Sequence, residues 1–215
     1  DYENITKQIS RTALADGWGG SMVSTDISDI LFGTPSPVEV EVDMGVLKED
    51  QVNIIVHGHE PNLLESMVVS VADPTLLDAA KNAGAKGINL VGMCCSGLEG
   101  LSRHGLPHAG NFSDTECVLV TGAVDAMTVD IQCIKQALQK VADFYDTPFI
   151  TTNYRAKIEG ALHIHLDEHD PRECTDEIVI KAITRFKNRK KPIQIPRTNT
   201  KGVHGFSFEY INYML

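Results

Sequence analysis

The chain has 215 residues, 42% of them hydrophobic, 22% charged and 6% aromatic, with a formal charge of −10. That length suits one domain, or one and a half, with a real core, and the composition excludes a disordered or fibrous chain. The negative balance excludes nucleic acid or an anionic membrane as the main partner, because binding phosphate needs clustered Lys and Arg.

The basic run Lys187 to Lys191 ends a predicted helix, where cations suit the dipole, and reads as a solvated helix end. No stretch reaches the ~20 apolar residues of a membrane span, and nothing at Asp1 resembles a signal peptide. The expectation is a cytoplasmic protein without a transmembrane segment. Five cysteines (Cys94, Cys95, Cys117, Cys133, Cys174) are odd in number and scattered, which fits structural or metal-binding thiols in a reducing compartment better than disulfides.

Residues 1–50 read as a helical lead-in and linker. Tyr2 to Asp16 has helical spacing, Gly17 to Gly20 breaks it, and Ser24 or Thr25 caps a short helix running to Phe32. Residues 51–215 read as a Rossmann-like α/β domain: a parallel sheet with helices on both faces. Predicted strands are Val52 to Val56, Gly87 to Gly92, Cys117 to Thr121, Met127 to Ile131, Pro148 to Thr152 and Leu162 to His165. Helices are expected from Pro61, from Gly97, after the fourth strand through Ala142, and from Asp170 to Asn188. The apolar, aromatic end, Phe206 to Leu215, reads as the edge of something larger.

Three candidate metal ligands follow predicted strands: His59 after the first, Cys95 after the second, Cys133 after the fourth. Loops at the carboxyl ends of strands in an open α/β sheet converge on one crevice. Cys95 and Cys133 both fall at predicted helix N-termini, where the dipole favours thiolate, the form that binds iron–sulfur clusters. His57 and Cys94 are alternatives within the same motifs. His57 and His59 lie two apart on an extended segment, so spacing does not choose between them. Singly, each candidate has a bland reading, as a buried small hydrophobe or a once-bonded histidine.

His57-Gly58-His59-Glu60-Pro61, Gly87 to Gly97 with its double cysteine, Arg103-His104-Gly105, Thr121 to Met127 and Asp130 to Ile134 are collinear with a known pattern, as are Asp29 to Pro35 and Glu209 to Leu215. On these motifs the whole chain resembles the central, cluster-binding region of the catalytic subunit of anaerobic nickel–iron carbon monoxide dehydrogenases. The resemblance implies a nickel–iron–sulfur cluster held by His59, Cys95 and Cys133 together with cysteines from elsewhere in a longer parent. It further implies oxidation of CO with water to CO2, a ferredoxin-like electron acceptor, a homodimer, and 4Fe-4S clusters in a region preceding this one. It puts the ligand on the second cysteine of Cys94-Cys95. Where that family often has Thr-Gly-Asn-Glu, this chain has Ser96-Gly97-Leu98-Glu99. This segment alone is expected to be an incomplete, inactive catalyst.

Other readings are a fragment that folds without a complete cluster and a Rossmann-like enzyme using zinc or a cysteine nucleophile. His163 and His165, on one side of a predicted strand, suit zinc, although histidines beside acids at a strand end are common surface chemistry. Asp16 is a candidate acid near the site, with a capping or surface role beside it. No Gly-x-Gly-x-x-Gly follows the first strand, so a dinucleotide site has little support.

Overall fold

A computed structural model describes residues 1–215. The chain divides into two compact units, residues 1–35 with 207–215, and residues 36–206. The first holds α1 (Tyr2–Ala13), a π-helical turn (Leu14–Gly19), α2 (Gly20–Phe32) and α9 (Phe208–Met214). The break expected at Gly17 to Gly20 does not occur. Glycine weakens a helix by only about 1 kcal/mol, and here the chain stays helical by widening one turn. Ser24 and Thr25 therefore lie inside α2 and cap nothing; Thr25 Oγ1 donates back to the Ser21 carbonyl at 2.9 Å. Gly33, at φ 96°, ends α2 as expected.

The second unit holds β1 (Val38–Val42), β2 (Val52–His57), α3 (Pro61–Val71), α4 (Pro74–Asn82), β3 (Ile88–Met93), α5 (Cys94–His104), α6 (Thr115–Val120), β4 (Val124–Val129), α7 (Leu138–Phe144), β5 (Phe149–Thr151), β6 (Leu162–His163), α8 (Pro171–Lys187) and β7 (Thr200–His204). Five strands form one parallel sheet in the order β3-β2-β4-β5-β6. Every residue of β2 and β4 is buried, and both are mostly apolar, as strands of a sheet covered on both faces are. One core packs Ile54 and Val56 against Leu63, Leu64 and Met67 of α3 and Ile178 and Val179 of α8. The other packs Ile55, Val91 and Met127 against Val118 and Leu119 of α6 and Leu138 of α7. Proline at the first turn of α3, α4 and α8 sets φ where no N–H is needed.

Two readings change and two features are new. Cys117 to Thr121 is not a strand but most of α6, in which Val118 and Leu119 are buried against the core and Val120 is exposed. The helix from Pro61 stops at Val71, and Asp73 caps a second, its carboxylate accepting the Thr75 N–H at 2.8 Å. The helix after the fourth strand begins only at Leu138, which leaves Cys133 in a loop. Unforeseen, β1 pairs antiparallel with β7, over 150 residues away in sequence.

Candidate functional site

β3 lies to one side of β2 and β4 to the other, so the loop leaving β2 heads one way and the loop leaving β4 the opposite way. Ligand crevices in open parallel sheets form at this reversal, outside the carboxyl ends of the two strands. The three loops meeting there carry His57 to Glu60, Cys94 to Gly97 and Asp130 to Cys133, all within the second unit.

Asp130 closes β4 as a fully buried carboxylate. Both of its oxygens accept the His59 N–H at 2.8 Å, one accepts the Glu60 N–H at 2.7 Å, and the Ile131 N–H also donates to it. Ser96 Oγ stands 3.5 Å away. Burial pushes the Asp130 pKa up, and these N–H donors pull it back. Gly58 lies against this carboxylate at φ 140°; a Cβ there would stand 1.8 Å from Oδ1. Only glycine fits both the backbone and the space. The Ser96 N–H donates to the Gly58 carbonyl at 2.8 Å, which ties the start of α5 to the same loop.

His59 is half-buried, and its Nδ1–H donates to the Ile131 carbonyl at 2.9 Å. Because a carbonyl only accepts, the proton sits on Nδ1 and the lone pair on Nε2. Metal-binding histidines are held in this way, one nitrogen bonded to a carbonyl and the other presented. His57 differs. It is fully buried, its Nε2–H donates to the Cys133 carbonyl at 3.1 Å, and burial lowers its pKa to about 4 against the pull of the Cys133 and Met93 backbone.

The cysteine loop turns sharply from β3 into α5. Cys94 takes a left-handed φ of 57°, and a Cβ on Gly92 would stand 2.4 Å from Gly97, so both ends of the turn need a residue without a side chain. Cys94 is buried and Cys95, one residue into the helix, is exposed. Cys133 is also exposed and left-handed at φ 52°, following Gln132 at 60°. Such conformations in non-glycine residues cluster at functional sites.

The expectation that helix N-termini make both thiols acidic is corrected. Cys133 heads no helix. Cys95 does, yet its pKa is raised, first because protein displaces water around the sulfur and then by the nearby charge of Cys133. Burial pushes Cys94 up to about 11. Neither thiol is activated as a nucleophile in the way hydrolytic cysteines require. A cation would reverse this balance, since metal binding deprotonates a thiol.

His59, Cys95 and Cys133 are thus gathered at one sheet edge, with His57 and Cys94 behind them. No group of three His, Cys, Asp or Glu side chains surrounds a single point as one metal ion requires. A cluster of several metals takes its protein donors one per metal, and Cys95 and Cys133 are both exposed at this edge. Cys117 is exposed on α6, and Cys174 is buried on α8, donating to the Ile164 carbonyl at 3.6 Å. His163 ends β6 and His165 follows it, two strands along the sheet from β4, with ring centroids 6.3 Å from one another, and His163 Nδ1 pairs with Thr151 Oγ1 at 3.0 Å. Asp16 sits in the π-helical turn of the first unit. No role was expected of Asp130 or His108; a carboxylate directly after β4, where the loops of a parallel sheet converge, was the available signal for Asp130.

Sulfur and imidazole donors at the switch point of a parallel sheet define a Rossmann-like domain with a candidate metal centre. A model of the Prismane/CO dehydrogenase family matches residues 1–211, and the chain belongs to that family. Carbon monoxide dehydrogenase 1 of Methanosarcina mazei is 48% identical over 212 residues, 98% of this chain and 34% of that protein. The carbon monoxide dehydrogenase/acetyl-CoA synthase subunit beta of Moorella thermoacetica is 45% identical across 100% of this chain and 32% of its own. A solved structure of carbon monoxide dehydrogenase IV from Carboxydothermus hydrogenoformans superposes with a TM-score of 0.92 at 47% identity, covering 98% of this chain and 33% of that one. The chain spans about a third of the length of the curated relatives it matches.

Proposed function

We propose that this chain is the central segment of a carbon monoxide dehydrogenase and supplies three protein ligands, His59, Cys95 and Cys133, to a nickel–iron–sulfur cluster. The observation that supports the reading is the His59 ring, whose Nδ1–H is held by the Ile131 carbonyl at 2.9 Å, on a loop at the same sheet edge as Cys95 and Cys133, two thiols close enough to influence one another's ionisation. When bound, such a cluster supplies the redox chemistry by which CO and water become CO2, two protons and two electrons. The chain's own part is to hold and orient. Asp130 locks the His59 loop, the turn at Cys94 sets Cys95 at the head of α5, and the loop through Gln132 lifts Cys133 out of the sheet. Burial raises the Cys95 pKa, and a metal bound there would take the thiolate form, displacing the proton.

The parent is read as a cytoplasmic homodimer passing electrons to a ferredoxin-like acceptor through 4Fe-4S clusters carried elsewhere. All five cysteines are free, in keeping with a reducing compartment. No helix is long and apolar enough to cross a membrane. With about a third of the relatives' length and three donors, the isolated segment is expected to be inactive.

The test is CO-dependent reduction of a viologen dye under strict anaerobiosis. The full-length parent is expected to reduce it, while His59→Ala and Cys95→Ala variants of the parent lose turnover. A parent that carries no nickel, or either variant turning over normally, overturns the assignment.

A further inference from the structure

Two cysteines at this edge share an arrangement that neither their sequence nor their ligand chemistry demands. Cys133, at φ 52°, has its carbonyl held by His57 Nε2–H at 3.1 Å. Cys94, at φ 57°, has its carbonyl held by His108 Nε2–H at 3.2 Å. The histidines come from different places. His57 ends β2, and His108 belongs to a segment bridging Val42 of β1 and Gly92 of β3. Both rings are buried, 0% and 8% exposed. A residue with a Cβ stays left-handed only where its surroundings hold it there. A peptide carbonyl gripped from one side by a fixed ring is such a hold, because relaxing φ and ψ would swing the carbonyl away.

We propose that His57 and His108 are positioning residues of the metal site, each locking a cysteine's left-handed backbone through its carbonyl and thereby aiming the thiols of Cys133 and Cys95. His57 acts on Cys133 directly. His108 acts one residue upstream, since the turn at Cys94 decides where Cys95 stands on α5. Gly97 permits this grip: a Cβ there would stand 2.8 Å from the His108 ring. His57 and His59 divide the work on one loop, taking the Cys133 and Ile131 carbonyls respectively. That division explains two histidines two residues apart without both binding metal.

The inference rests on reading His59, Cys95 and Cys133 as ligands. Its test uses the full-length parent, matured and purified anaerobically. At each position, glutamine keeps an N–H donor near the place of Nε2, and methionine fills similar space without one. Nickel and iron per chain are measured after graded chelator challenge, alongside the cluster's electron paramagnetic resonance spectrum and thermal unfolding. Methionine variants are expected to retain metal roughly 10–100-fold less tightly, with shifted g-values in the folded, loaded fraction, and glutamine to restore both. If a methionine variant does not fold, asparagine, whose amide falls short of the carbonyl, takes its place. A methionine or asparagine variant with the wild-type spectrum and metal retention overturns the proposal, as does glutamine failing to rescue a folded protein. A wild-type parent without nickel overturns the ligand reading instead.

Discussion

The Asp130 carboxylate accepts the His59 N–H with both oxygens at 2.8 Å, joining the end of β4 to the loop that leaves β2. Asp130→Ala would strand the N–H groups of His59, Glu60 and Ile131. An unsatisfied buried donor costs about 1–3 kcal/mol, so a loss of at least ~3 kcal/mol is expected. Denaturant unfolding of the parent checks it; a loss below ~1 kcal/mol would mean that water replaces the carboxylate freely.

At the other end of the sheet, Asp125, fully buried, pairs with Arg185 at 3.3 Å and with Arg189, whose side chains are 5% and 11% exposed. Asp125→Ala leaves two buried guanidiniums without their anion, and breaking a buried pair in this way costs about 3–5 kcal/mol. Stability should fall by that amount while metal content of the folded fraction is unchanged, because the pair lies far along β4 from Asp130. Loss of nickel from a folded Asp125→Ala parent would contradict that separation.

Thiol reactivity should divide the cysteines. Burial pushes Cys174 up to about 12, so near pH 8 it stays a protonated, inaccessible thiol. Iodoacetamide applied to metal-depleted, folded protein should label Cys95 and Cys133 and spare Cys174 until denaturant is added. Peptide mass spectrometry reads this directly, and Cys174 labelled at the rate of Cys95 would show that α8 opens.

Burial lowers the His108 pKa below the ordinary value of 6.5. The folded chain therefore keeps this ring neutral at a pH where the unfolded chain is already protonated. By linkage, its contribution to stability is full above ~6.5 and declines as pH falls toward the lower folded value. His108→Gln should flatten that part of the pH–stability curve, measured by denaturant midpoints from pH 7.5 to 5. An unchanged slope would place the titration elsewhere.

Much of the architecture was legible in the sequence because its causes are local. Val52 to Val56 and Gly87 to Val91 are apolar runs fit for a sheet covered on both faces, and Pro61 and Pro171 mark helix starts by geometry of their own. Strand-end placement also brought His59, Cys95 and Cys133 to one edge, since parallel strands point their carboxyl ends the same way. Local signals failed where neighbours decided the outcome. Cys-Val-Leu-Val at 117–120 suits a strand as well as a helix, and packing of Val118 and Leu119 chose the helix. Only the tertiary structure shows how the two rings differ: His57 is sealed in the core with Nε2 on the Cys133 carbonyl, and His59 is half-buried with Nδ1 on the Ile131 carbonyl. Those carbonyls lie more than 70 residues downstream of the two histidines, and a sequence records residue types and spacing but not which distant backbone group a buried ring will meet.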